Sequence, residues 1–310
     1  MAGYEGFKPP WRLLVEWISG GEACFREILD FLESSRVGGQ AVDVVVLDGL
    51  GKALVIDGKV QSSLFDEYWY HEALVHPAML LHPYPRRVLV VGGGEGATLR
   101  EVLRHSSVGR VVMVDIEPSM IEIARRLLPE WHQGSFSHAA VDVVAADGRG
   151  FVEASRPGSY DVVVLDLVDP LEGGPAVYLY TREFYEAVYK VLSSDGVAVT
   201  QATSPVLHPR VFAAIYHTMA AVFPHVAAYT VYMRSYNGLW GFVVASKTTD
   251  PSGLDAGRVD DMLRERGVSG LRFYDGVTHT WMFSLPLPVR RVIQEYRVVS
   301  TDEKPVSIPF

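Results

Sequence analysis

A glycine-rich stretch, Gly92-Gly93-Gly94-Glu95-Gly96, closes the apolar run "RRVLVV", and three later apolar runs close on single carboxylates. These are Asp115, Asp147 and Asp166, with Asp169 three residues beyond the last. Glycines placed so let backbone approach a ligand closely, as in proteins that bind NAD, FAD or S-adenosylmethionine. Asp115 follows Gly96 by 19 residues, a spacing suited to holding both hydroxyls of a ribose. An adenosine-containing ligand is therefore expected. Glu95 narrows the choice: inside the loop it would face a pyrophosphate with like charge, which disfavours NAD and FAD. It equally disfavours a ligand whose amino-acid end carries a carboxylate, and favours one ending in a bare ammonium. The structural alternative for Glu95 is a glutamate at a helix N-terminus, interacting with the dipole.

The elements that must position these groups read as a strand–helix alternation. Strand "RRVLVV" leads to helix "ATLREVLRH", "RVVMVD" to "PSMIEIARRLL", "VDVVAAD" to "GRGFVEAS", "YDVVVLD" to "TREFYEAVYKVL", and "GVAVTQ" follows. Uninterrupted apolar strands of this kind are buried on both faces of a parallel sheet wrapped by helices. Ligands of such sheets bind beyond the carboxyl ends of the strands, where the carboxylates lie. A further helix near residues 208–223 precedes "VAAYTVYM" and "WGFVVAS", whose short link "RSYNGL" predicts an antiparallel pair. That is the order of a class I methyltransferase-like, Rossmann-like doubly wound α/β sheet. Ahead of it, the first 60 residues read as short β segments, with turns at Asp48-Gly49 and Asp57-Gly58. The closing stretch "EYRVVSTDEKPVSIPF" carries little pattern.

Composition limits the function classes. The 310 residues are 48% hydrophobic, enough for a large core, and the net charge of −9 argues against nucleic acid and suits a cationic substrate. The single cysteine, Cys24, permits no intrachain disulfide, and residues 1–17 lack the apolar centre of a leader. No run approaches 18 uncharged apolar residues, so no membrane span is expected. These features predict a cytoplasmic protein. Asn237 is the only asparagine, and such avoidance of heat-labile residues points to a thermophile. His76, His82, His105 and His132 show no metal-ligand spacing and are expected in surface or capping roles. Ser204, before Pro205, lacks the context of a nucleophile.

Six segments together resemble the polyamine aminopropyltransferase (spermidine synthase) family. They are "VIDGKVQSSLFDEYWYHEALVHPA", "VLVVGGGEGATLREVLRH", "VVMVDIE", "AADG", "LDLVDPLEGGPAVYLYTREFYEAV" and "VTQA", in the family's order across roughly half the chain. The resemblance implies a small all-β domain over residues 1–68, a catalytic Rossmann-like domain over 69–310, and a homodimer or homotetramer. It implies decarboxylated S-adenosylmethionine as co-substrate, with no prosthetic group or metal. By the same resemblance Gln40 and Gln61 contact the nucleoside, Asp115 holds its ribose, Asp147 and Gly148 read the adenine, and Pro175 covers the thioether side. Gly92 and Gly94 let the ligand approach, and Glu95 holds the aminopropyl amine. Asp166 matches the proton acceptor. Tyr70, His71, Asp169, Gln201 and Tyr236 belong with the acceptor amine. Leu167 replaces a serine usual in spermidine synthases, and "LEGGPA" extends the loop after Asp169-Pro170. This form is similar to thermospermine synthases and their archaeal relatives, so spermidine is expected as acceptor ahead of putrescine or another diamine.

The implied reaction displaces a sulfonium leaving group by a neutral amine, releasing 5′-methylthioadenosine. An alkylamine of pKa ~10.4 is free base to only about one part in 10³ at neutral pH, so a proton acceptor is needed. Carboxylates along a channel select a polycation yet favour its protonated form. An aromatic patch from Trp69, Tyr70 and Trp240 would offset that beside the reacting nitrogen. A methyltransferase shares the glycine loop, Asp115 and Asp147 but gives no task to Glu95 or to the pair Asp166 and Asp169, and the intact acidic set argues against a non-catalytic binder.

Overall fold

The computed structural model describes residues 12–19 and 21–309. Residues 1–11, on which the reading of the N-terminus largely rests, lie outside them. The chain divides into two compact units, Met1–Glu67 and Tyr68–Phe310.

The first unit is one antiparallel sheet in sequential order: β1 (Leu13–Ser19), β2 (Glu22–Val37), β3 (Gln40–Leu47), β4 (Gly51–Ile56) and β5 (Lys59–Ser63). Asp57 and Gly58 both take positive φ and join Ile56 to its partner Lys59, the tight hairpin their types favour. Asp48-Gly49 instead sits in the longer link between paired Leu47 and Gly51. β2 corrects the expectation of short segments. It runs 16 residues, and register shifts between Ile28 and Asp30 and between Phe31 and Glu33 break its alternation. Val45, Leu47, Leu50, Ala53, Val55 and Val60 form this unit's core.

The second unit holds a seven-stranded sheet. Its parallel strands are β6 (Arg87–Gly92), β7 (Arg110–Asp115), β8 (Val141–Ala145), β9 (Tyr160–Asp166) and β10 (Leu192–Gln201). Then come β11 (His225–Met233) and β12 (Gly238–Ser246), antiparallel to each other as expected, with β12 also antiparallel to β10. The order β11-β12-β10-β9-β6-β7-β8 reverses at β6, which pairs with β7 on one side and β9 on the other. The crevice beyond the ends of β6 and β9 is thus the topological switch point. Val88 to Val91 and Val162 to Leu165 are at most 2% exposed, so both strands are closed on both faces.

Ten helices accompany these strands among the described residues: α1 (Glu67–Leu81), α2 (Ala97–Leu103), α3 (Pro118–Leu127), α4 (Pro129–His132), α5 (Gly148–Ala154), α6 (Arg182–Val191), α7 (Pro209–Ala220), α8 (Ala256–Glu265), α9 (Gly276–Phe283) and α10 (Leu287–Glu295). α6 is capped by Thr181, α8 by Asp255 and α9 by Asp275, each accepting from a first-turn amide. No helix among the described residues is long and apolar enough to cross a membrane.

Candidate active site

Parallel pairing of β6 with β9 sets Gly92 opposite Asp166. A Cβ on Gly92 would stand 2.1 Å from the Asp166 carbonyl oxygen, and Gly93 N–H donates to that oxygen at 3.1 Å. Gly94 packs against the end of β7, where a Cβ would meet Asp115 Oδ2 at 2.9 Å. Glycine is needed at 92 and 94 because two carboxylate-bearing strand ends press on the loop. Glu95 is half-buried directly ahead of Gly96, the left-handed residue that opens α2.

Asp166 has a partner on each carboxylate oxygen. Tyr70 OH donates to Oδ1 at 3.0 Å and Thr98 Oγ1 donates to Oδ2 at 2.6 Å. Tyr70 is buried on α1. Burial, and then the negative charge of Asp166, push its phenol well above the usual range, so it stays a donor. Thr98, in the first turn of α2, is fully buried. Both partners are neutral hydroxyls. They fix the carboxylate without cancelling its charge, which leaves Asp166 able to accept a proton or pair with an ammonium. Around Tyr70 stands an aromatic wall: His71, Phe242 and Tyr236 lie with ring centroids 5.1, 5.3 and 6.1 Å away, and Trp240 lies 4.6 Å from Tyr236. Trp69 instead stacks on Phe273 at 5.1 Å.

The other strand-end carboxylates are held by backbone or by an amide. Asp115 Oδ1 accepts from Glu117 N–H at 2.9 Å. Burial raises its pKa; the Glu117 hydrogen bond works against that, and the nearby Asp166 charge adds to it. Asp147 is exposed and caps α5, accepting from Gly150 N–H at 2.7 Å, and Gly148 begins that helix. Asp169 Oδ1 accepts from Gln201 Nε2 at 3.2 Å, and the same nitrogen lies 2.6 Å from Tyr180 OH. Tyr180 OH donates to Val168 O at 2.9 Å, while Gln201 Oε1 accepts from Thr203 N–H at 2.8 Å. Gln201 and Tyr180 thereby pin the root of the loop that carries Asp169. Pro175 is exposed at the start of the 3-10 turn Pro175–Tyr180.

Gln40 and Gln61 belong to the N-terminal sheet. Gln40 is exposed and donates to Asp57 Oδ2 at 2.9 Å, and Gln61 donates to Lys59 O at 3.3 Å. Thr98 was not legible as Asp166's partner, although a hydroxyl two residues past a glycine loop is a signal worth reading.

One turn further along α2 lies a second charged cluster. Glu101 is fully buried, 3.2 Å from His76 Nε2, 2.6 Å from Arg100 Nε and 2.7 Å from Arg104 Nε, and His76 lies 3.0 Å from His105. Burial pushes Glu101 up, but His76, Arg100 and Arg104 outweigh it and hold the carboxyl at about 2. The expected surface or capping roles of His76 and His105 are therefore wrong: they are 0% and 1% exposed. His82 is also buried, yet its ring accepts from Tyr84 N–H as a local cap does, and His132 accepts likewise from Gly134 N–H.

With this geometry in view, residues 67–252 match the family model described as the spermine/spermidine synthase domain. The chain belongs to the polyamine aminopropyltransferase family. It is an aminopropyltransferase on a Rossmann-like sheet with an N-terminal antiparallel β unit, and the family uses decarboxylated S-adenosylmethionine as co-substrate. The polyamine aminopropyltransferase 2 of Hyperthermus butylicus is 56% identical over 300 residues, covering 97% of this chain and 98% of that protein. The polyamine aminopropyltransferase of Sulfolobus acidocaldarius is 43% identical over 299 residues, covering 96% and 99%. A spermidine synthase solved in complex with the transition-state analogue AdoDATO aligns with TM-score 0.84 and 32% identity over 91% of this chain and 94% of that one.

Proposed function

We propose that this aminopropyltransferase uses spermidine as its foremost acceptor, making thermospermine and releasing 5′-methylthioadenosine. The observation that carries this is the pairing of the hydroxyl-held Asp166 with a second carboxylate, Asp169, fixed three residues along by Gln201. One anion serves the reacting amine and the other a distal ammonium. Glu172, exposed on the same loop, offers a third. Leu167 and the Gly173-Gly174 extension set this loop apart from the serine-bearing form usual in spermidine synthases.

In this reading Asp115 holds the ribose, with its neighbour Gly94 giving the room. Asp147 and Gly148 meet the adenine, Gln40 and Gln61 the nucleoside, Pro175 the thioether side, and Glu95 the aminopropyl ammonium. The acceptor nitrogen lies against Tyr70, His71 and Tyr236. It attacks the methylene next to sulfur: the N–C bond forms as the C–S bond breaks, the electron pair returns to sulfur, and the sulfonium becomes a neutral thioether. The proton lost from nitrogen passes to Asp166. Alignment of amine and carbon supplies much of the rate, as in other displacements between held reactants.

The alternative acceptor is putrescine or another diamine, which the likeness to a solved spermidine synthase favours. Incubation with putrescine, cadaverine, agmatine, norspermidine and spermidine, with products identified by mass and fragmentation, decides between them. Spermidine should give the highest kcat/KM and a product that fragments as thermospermine. A preference for putrescine overturns the assignment. Assembly as a homodimer or homotetramer belongs to the same proposal. Its support is an exposed apolar row on the hairpin, Leu13, Val15 and Trp17 of β1 with Phe25 and Leu29 of β2. Light scattering on the purified protein tests it.

A further inference from the structure

The loop that carries Asp169 is fastened at a second place. Segment 297–309 forms no helix or extended strand, yet it meets loop 167–181 repeatedly. Ile308 bridges Leu171 in parallel: its N–H donates to Pro170 O at 2.8 Å, and its carbonyl accepts from Glu172 N–H at 2.9 Å. Ile308 is 4% exposed. At the far end of the loop, Arg182 N–H donates to Ser300 O at 2.8 Å, and Asp302 Oδ1 accepts from Thr181 Oγ1 at 2.7 Å. The Asp302 carboxylate also takes both terminal nitrogens of Arg149, at 2.8 and 2.7 Å. Arg149 is the second residue of α5, next to Gly148. Ser300 is itself buried; its Oγ accepts from Val306 N–H at 2.9 Å, and its own N–H donates to Thr218 Oγ1 at 2.9 Å.

A loop of this length containing Gly173 at φ +75° and Gly174 gains much conformational freedom when untied. Gln201 and Tyr180 hold only its root. Backbone bonds to Ile308 hold its middle, and Asp302 its end. The two Ile308 bonds run between main chains, and Asp302, which accepts from Thr181 Oγ1, is itself held by a bidentate, charge-assisted pair with Arg149 of α5.

We propose that Ile308 and Asp302 are positioning residues for the acceptor, holding loop 167–181 so that Asp169 meets the distal ammonium, and so setting acceptor KM rather than the rate of displacement. This rests on the reading of Asp169 as an acceptor-binding group. The test is steady-state kinetics with spermidine at saturating co-substrate, together with amide hydrogen exchange across 167–182. Ile308→Pro removes the donor to Pro170 O, and Asp302→Asn weakens the Arg149 fork. Each should raise KM about tenfold, the factor that loss of one or two ordinary hydrogen bonds amounts to, with kcat within about threefold. Amide exchange at Glu172 or Arg182 should quicken, and Ile308→Val, which keeps both backbone bonds, should match the parent. Unchanged KM despite faster exchange overturns the proposal. Should Ile308→Pro fail to fold, Asp302→Asn decides alone. Asp169→Asn separates the two claims: raised KM there but not in the strap variants removes the strap, and unchanged KM there removes the Asp169 reading.

Discussion

One turn of α2 separates two carboxylate sites that are held in opposite ways. Thr98 reaches Asp166 at the end of β9, and Glu101 points into the cluster with His76, Arg100 and Arg104. Asp166 is half-buried and its partners are hydroxyls; Glu101 is fully buried and its partners are cations or a histidine. Cations neutralise a buried charge and make it structural, because the pair satisfies itself. Hydroxyls hold a carboxylate in place and leave its charge for a substrate. On the role proposed for Asp166, the identity of the partners, more than depth of burial, distinguishes a working carboxylate from a scaffolding one.

The largest effect expected from that contrast is on chemistry. Asp166→Asn should lower kcat ~10³-fold, the range for loss of a positioned proton acceptor, with 5′-methylthioadenosine affinity by calorimetry nearly intact. Next is Glu101→Gln, which leaves the His76, Arg100 and Arg104 groups buried without their counter-charge. Unfolding in denaturant should show a loss of ~3 kcal/mol, while kcat of the folded fraction stays within a few fold.

Acid should also weaken the fold, through two overlapping pH windows. His279 is buried against Tyr274, and burial lowers its pKa from 6.5 to about 4. Its native form is neutral, so the stability it contributes is whole above 6.5 and is lost as pH falls through about 4. Glu101, lowered from 4.5 to about 2, contributes fully above 4.5 and loses that contribution toward 2. Melting temperature should therefore decline steadily below pH 6.5, and a rise on acidification would contradict both assignments. The smallest effect falls between the two sites. Thr98→Val removes one donor from Asp166 and should lower kcat about tenfold, and Thr98→Ser should restore it. A fall in stability with unchanged kcat would make Thr98 a packing residue only.

Much of this architecture was legible because the physics is local. Strands β6, β7 and β9 are buried on both faces, so their apolar runs are unbroken and the carboxylates Asp115 and Asp166 mark where they end. The link between β11 and β12 was short enough to force an antiparallel pair. What escaped depends on distance in sequence or on backbone. His76 and Glu101 meet only because α1 and α2 pack together, and nothing near either residue announces the other. α1 is buried all along its length from Tyr70 to Leu81 and carries Pro77, so it shows no polar face to set a period. Asp255 and Asp275 cap α8 and α9, which lie past the last strand and so outside the strand–helix alternation that marks α2, α3, α5 and α6. Segment 297–309 grips its loop largely through main-chain groups, which leave no side-chain pattern.

The contrast between the two carboxylates is tested most directly by measuring 5′-methylthioadenosine release and thermal melting on the same preparations of Asp166→Asn and Glu101→Gln. The effects should cross: Asp166→Asn melts like the parent and scarcely turns over, while Glu101→Gln melts early and, below its melting point, turns over at close to the parent rate. Turnover by Asp166→Asn within a few fold of the parent would contradict the role given to that carboxylate.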